Sequence, residues 1–148
     1  MTIKVFTDGA SRGNPGNAGI GIAVLDESGA LISSHKEFIG QCTNNVAEYT
    51  ALIKSLDLIE RIDPRVSGIL FYCDSELLVK QLTGQYRIKH KDLIELSLKF
   101  RKRIKQLNIP FEISHITRDK NKTADRLANE AIDEAIKNKH AALKTAKK

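Results

Sequence analysis

Tryptophan is absent, methionine occurs once, and aromatic residues make up only 5% of the chain. A core must therefore be built from aliphatic side chains, and the overall hydrophobic share of 41% supplies them in ordinary measure. Cys42 and Cys73 are the only cysteines. They lack metal-ligand spacing, which argues against a zinc site or a disulfide framework and points to a reducing, cytoplasmic setting. No apolar run is long enough to cross a bilayer. The opening MTIKVFTDG has no basic stretch followed by an apolar one, so neither a membrane partner nor a secretory signal is expected. Internal repeats, long linkers and low-complexity blocks are missing too. At 148 residues, one domain with its own core is the economical reading.

What is present leans basic. Lysine and arginine outnumber the acids 24 to 18, the net charge is +6 and the pI is near 9.4, a balance that favours a polyanionic partner. Part of the excess lies in NKHAALKTAKK, read as a basic tail over 138–148 behind a domain over 1–137.

Hydrophobic patterning orders the elements. TIKVFTDG alternates as a strand ending at Asp8 and Gly9, and the turn formers of GASRGNPGNAG are too dense to continue it. GIGIAVLD and ALISSHKEFIG read as two antiparallel strands around a tight turn. A helix over Thr43–Arg61 follows, broken by DPRVSG. GILFYCD is a short dense apolar run, the pattern of a strand buried on both faces. SELLVKQLTG is a short helix capped by Asp74 or Ser75 and stopped at Gly84. A helix from Lys91 to Leu107, a strand FEISHI and a last helix carrying Leu127, Ala128, Ala131, Ile132, Ala135 and Ile136 complete the chain. The expected fold is α/β: a five-stranded mixed sheet, three antiparallel strands first and two further parallel strands, flanked by helices.

Four acids stand at comparable places, Asp8 and Asp74 at strand ends, Glu48 and Asp125 at helix starts. Local rules account for each alone. Asp8 suits a turn, Asp74 an N-cap, and Asp125 a helix first turn. Glu48 sits on the edge of the stripe Val46, Tyr49, Leu52, Ile53, Leu56 and Ile59, where it reads as the N3 partner of an Asn45 cap. Together they say more, because parallel strands bring their C-terminal ends to one edge, where such sheets bind ligands. Two bare carboxylates ~4 Å apart repel by about 4 kcal/mol at an effective dielectric near 20. A converging cluster therefore requires raised pKa values, basic partners or cations, and all-oxygen ligation selects Mg²⁺ or Mn²⁺.

TDGASRGNPG, TNNVAEYTAL, YCDSELLVKQLTG and ITRDKNKTADRLAN, in this order and spacing, resemble type 1 ribonuclease H over roughly Ile3 to Ile136. Related nucleases and transposases of that fold share the acids but do not usually share GNPG together with TNN. The resemblance implies a ribonuclease H-like fold and endonucleolytic hydrolysis of the RNA strand of RNA–DNA hybrids, leaving 5′-phosphate and 3′-hydroxyl ends. It implies two divalent ions per active site, Mg²⁺ with Mn²⁺ as the alternative, held by Asp8, Glu48, Asp74 and Asp125. Asp8 would serve both ions, Asp74 and Glu48 the one near the leaving group, and Asp125 the one near the attacking water. By the same resemblance Glu48 also meets a ribose 2′-hydroxyl. Asn14, Asn44 and Asn45 contact the hybrid across its minor groove, where side-chain amides match the 2′-hydroxyl as donor and acceptor. Thr43 contacts a DNA-strand phosphate.

The chain departs from the family pattern in three places. The connection TRDKNKT is too short for the flexible loop that carries a histidine in many members. His115 reads as a structural residue inside its strand, and Arg118 is the candidate for the vacant catalytic role. Arginine stays protonated at neutral pH and is no general base; Asn121 is ranked below it. The extra helix and basic loop that many bacterial members insert after the short helix are missing, leaving Arg87, Lys89, His90 and Lys91 to be read either as a smaller phosphate patch or as a solvated connection. Glu76 places an acid where some members carry a neutral groove residue. A monomer is expected. Two other classes stay open, a non-catalytic hybrid-binding module and a broader ribonuclease that also cuts duplex RNA or RNA–DNA junctions. The presence of all four acids speaks against the module, since a pure binder gains nothing from carboxylates that repel one another.

Overall fold

Strand β1 runs from Thr2 to Gly13 and β2 from Gly16 to Leu25, so Asp8 lies inside a strand and does not end one. The computed structural model, which describes residues 1–62 and 65–146, pairs the two antiparallel with Asp8 opposite Gly21 and Gly9 opposite Ile20. The glycine-rich stretch expected to be a turn is thus mostly strand. Its glycines serve closeness rather than turning. A Cβ on Gly9 would stand 2.2 Å from the Ala47 carbonyl carbon, and one on Gly19 would stand 2.5 Å from the Ala128 oxygen. Only Gly13, at φ 137°, bends the chain where a side chain would be strained.

Strand β3 (Leu31–Cys42) returns antiparallel to β2, across a turn in which Asp26 Oδ1 accepts from the Ser28 and Ala30 N–H groups at 2.9 and 3.0 Å. Helix α1 spans Asn44–Glu60. The expected breaker DPRVSG falls partly on residues 63–64, outside the described residues. Strand β4 (Gly68–Cys73) then pairs parallel to β1, and β5 (Phe111–His115) parallel to β4. The sheet order is β3-β2-β1-β4-β5. Between β4 and β5 lie α2 (Glu76–Leu82) and α3 (Lys91–Leu107), with no further helix between them among the described residues. A short 3-10 turn, Arg118–Lys120, leads into α4 (Lys122–Ala146). The last helix does not stop near 137; it continues to Ala146, with 138–144 exposed to solvent.

One face of the sheet carries the main core. Ile3, Val5, Ile22, Ile69 and Phe71 share a buried cluster with Tyr49, Leu52 and Leu56 of α1 and Phe100 and Ile104 of α3. Each such side chain contributes ~1.5–3 kcal/mol on leaving water. α4 covers β2, β1 and β3 on the other face, burying Ala124, Leu127, Ala128, Ala131 and Ile132. It does not reach over β4. That strand is accordingly buried on one face only, through Ile69, Phe71 and Cys73, while Leu70 and Tyr72 stay half covered, in contrast to the two-sided burial its composition suggested. Tyr72 shelters instead against Phe6, the rings stacked at 5.0 Å.

Candidate active site

The four acids reach one rim of the sheet by different local means. Parallel pairing sets Thr7 opposite Cys73, so Asp8 and Asp74, the residues that follow, adjoin. Ser75 takes the N-cap of α2, its Oγ accepting from the Leu78 N–H at 3.2 Å, which leaves Asp74 free of a capping role. The cap of α1 is Thr43 rather than Asn45. Its Oγ1 accepts from the Val46 N–H at 3.2 Å, which makes Val46 the N3 residue and puts Glu48 out of reach of a capping box. Bare backbone at Gly9 lets α1 approach until Ala47 and Glu48 lie against it. Asp125 rides in the first turn of α4.

One carboxylate oxygen each from Asp8, Glu48 and Asp74 lies within 4.8 Å of the others. Asp8 and Glu48 are each only 4% exposed, and Glu48 Oε2 is buried with no hydrogen-bond partner. Burial, then the charge of Asp74, pushes the Asp8 carboxyl up to about 8. Burial, then Asp8, raises Glu48 well above the usual carboxylate range. Asp125 lies outside that trio, and its charge helps raise the Asp8 carboxyl. A cluster of this kind lacks a positive centre, and the donor set, oxygen only, with one buried oxygen orphaned, fits a hard divalent cation. The cleft above it measures about 420 Å³ and is also lined by Asn44, Arg118 and Asn129.

Comparison with known proteins agrees with this geometry. A family model described as reverse transcriptase-like matches residues 6–131. The crystal structure of LC11-RNase H1 in complex with RNA/DNA hybrid superposes with a TM-score of 0.86 and is 39% identical, covering 90% of this chain and 99% of that one. The chain belongs to the type 1 ribonuclease H family. A ribonuclease HI of Halobacterium salinarum is 38% identical over 133 residues, 90% of this chain and 65% of that protein. A bifunctional protein of Mycobacterium tuberculosis is 41% identical over 138 residues, and this chain spans only 36% of its length.

The remaining sites expected from the sequence divide into those the fold gathers and those it does not. Asn14 Oδ1 accepts from the Asn44 N–H at 3.3 Å, tying the β1–β2 turn to the start of α1, with Thr43 and exposed Asn45 alongside. Arg118 stands over the cleft, 76% exposed, its Nη2 donating to Asp125 Oδ1 at 3.3 Å. His115 ends β5 opposite Cys73, exposed and off the cleft lining. Asn121 is buried and its Nδ2 donates to the Thr7 carbonyl at 2.9 Å, stapling the start of α4 to β1 beside Asp8. Glu76 is engaged by Lys80 at 2.6 Å along its own helix. Arg87, Lys89, His90 and Lys91 are exposed. Arg12 and Asn129 line the cleft and went unnoticed in the sequence. Asn129 had a signal, since it stands four residues after Asp125 and so on the same helix face; Arg12, inside a presumed turn, had none.

Proposed function

We propose that this ribonuclease H hydrolyses the RNA strand of RNA–DNA hybrids endonucleolytically, leaving 5′-phosphate and 3′-hydroxyl ends. The observation that carries the reading is the buried carboxylate cluster with its orphaned Glu48 oxygen. Asp8, Glu48, Asp74 and Asp125 would hold two divalent ions, Mg²⁺ with Mn²⁺ as the alternative. When bound, such ions generate a nucleophile from water and neutralise the leaving oxygen of a phosphodiester. The protein's own groups supply position and recognition. Asp8 has an oxygen within 4.8 Å of Glu48 and Asp74 and also feels the charge of Asp125, which suits it to serve both ions. Arg118 offers a mobile guanidinium to a backbone phosphate and, staying protonated, acts as a donor and never as a base. Asn14, Asn44 and Asn45 present amides toward a ribose edge. The Thr43 oxygen is occupied in capping, and its hydroxyl proton remains available to a DNA-strand phosphate. The reading includes action as a monomer in the cytoplasm, supported by the unpaired thiols of Cys42 and Cys73. No described helix is long and apolar enough to cross a membrane.

The test incubates the protein and an Asp74→Asn variant with end-labelled RNA–DNA hybrid, duplex RNA, single-stranded RNA and duplex DNA, in Mg²⁺ and then in Mn²⁺. Cleavage of the hybrid alone, reduced to background in the variant, is expected. No cleavage in either metal would overturn the proposal in favour of a binding module. Comparable cutting of duplex RNA would replace it with a broader ribonuclease.

A further inference from the structure

Asp125 is held by two donors at the same oxygen, and the two differ in kind. Arg118 Nη2 and Asn129 Nδ2 each lie 3.3 Å from Oδ1, and neither bonds the other carboxylate oxygen. The Arg118 side chain is 76% exposed, so an incoming phosphate can draw it away. Asn129 is half-buried one helical turn after Asp125, and its amide nitrogen also donates to the Asp125 main-chain carbonyl at 3.0 Å. Its oxygen faces elsewhere. Arg12 reaches across from β1, placing Nη2 3.4 Å from both the Asn129 carbonyl and its Oδ1. The other end of that guanidinium is anchored on Asp133, with Nη1 at 2.6 Å.

This arrangement allows one orientation of the amide. A guanidinium has only protons to give and a carboxylate only lone pairs, so the Asn129 oxygen must face Arg12 and its nitrogen must face Asp125. The chain Asp133, Arg12, Asn129, Asp125 thus runs acceptor to donor without conflict, and it links β1 to α4 across the cleft.

We propose that Asn129, oriented by Arg12, is a positioning residue. It fixes the Asp125 carboxylate with one oxygen turned into the protein and the other left for a cation, and it frees Arg118 for the substrate phosphate. The proposal rests on the ribonuclease H reading for what Asp125 does, but its first readout does not depend on turnover. Partners that orient a metal-binding group without touching the metal typically govern affinity or activity by about 10–100-fold.

The test compares wild type with Asn129→Leu, which keeps the branched shape and removes the donor, and with Asp133→Asn, which loosens the Arg12 anchor from a residue 64% exposed and outside the cleft lining. Mn²⁺ alone is titrated calorimetrically into each protein, and kcat and KM on hybrid are then measured. For Asn129→Leu the Mn²⁺ midpoint rises about 10-fold or more and kcat falls, with KM for hybrid unchanged; Asp133→Asn shifts the midpoint the same way by less. An Asn129→Leu protein that melts near wild type with an unaltered midpoint overturns the proposal. So does a rise in KM with kcat kept, which would make Asn129 a substrate contact. Should Asn129→Leu fail to fold, a wild-type midpoint in Asp133→Asn overturns it. A wild type that binds Mn²⁺ but cleaves no hybrid refutes the functional reading instead, leaving the metal titration to decide this one.

Discussion

At the base of the sheet, Ile3, Val5, Ile69 and Phe71 meet Leu52, Leu56 and Phe100 through large side chains, and the helices are held off the strands by that bulk. At the rim the contacts are bare backbone. Gly9 admits α1 at Ala47, and Gly21 and Gly19 admit α4 at Ala124 and Ala128. The base gains stability from apolar volume removed from water. The rim gives up that volume and gains proximity, and proximity brings Glu48 and Asp125 to Asp8. The same chain therefore uses dense packing where nothing reacts and thin packing where carboxylates must meet.

Of the packing substitutions, the one with the largest expected effect tests the base. Leu52→Ala, at a fully buried position, lowers stability by about 2–5 kcal/mol. Denaturant unfolding measures the loss, and the remaining folded fraction should cleave hybrid at the wild-type rate. Gly21→Ala tests the rim. Its new methyl meets backbone, which cannot swing aside, so a destabilisation of about 1–3 kcal/mol is expected. Cleavage by its folded fraction should fall well beyond that of Leu52→Ala, because displacing α4 carries Asp125 away from Asp8. If the two variants keep equal specific activity, the contrast between base and rim is wrong.

The last effect is a slope, spread over several pH units. The Asp8 carboxyl titrates near 8 in the folded protein against about 3.9 in an unfolded chain, and Glu48 is shifted in the same direction. The folded state thus binds protons the unfolded state has released. Stability of the metal-free protein should fall as pH rises from about 4 through 8, by at most ~1.4 kcal/mol per unit for each proton. Thermal unfolding in chelator at pH 5 and pH 8 reads it. Asp8→Asn should flatten the slope, and an unchanged slope in that variant would place the strain elsewhere.

Much of this was legible before any coordinates. The helical stripes of α1 and α3 follow from patterning, the parallel pairing of β1 and β4 stood as the condition for Asp8 and Asp74 to meet, and four ordered motifs pointed to the family. The misreadings share one cause. Gly9 and Gly19 of GASRGNPGNAG look like turn formers in a single chain, and only the helices crossing them show that they are contact points. Asn45 looks as good a cap as Thr43 until the helix axis is set. GILFYC looks buried on both sides until α4 is seen to stop short of β4. Asn129 has a polar side chain like many others on α4 until Arg12 arrives from a strand 117 residues away.

Local chemistry along the chain was enough to place each acid on its element and to select oxygen-loving cations as their partner. It was not enough to set the distances. Whether Asp8, Glu48 and Asp74 meet within 4.8 Å depends on register, on helix approach over glycine and on burial, none of which resides in any one segment. Coulomb repulsion and desolvation both depend on those distances, so the raised carboxyls and the orphaned Glu48 oxygen that mark this cleft exist only once the chain has folded.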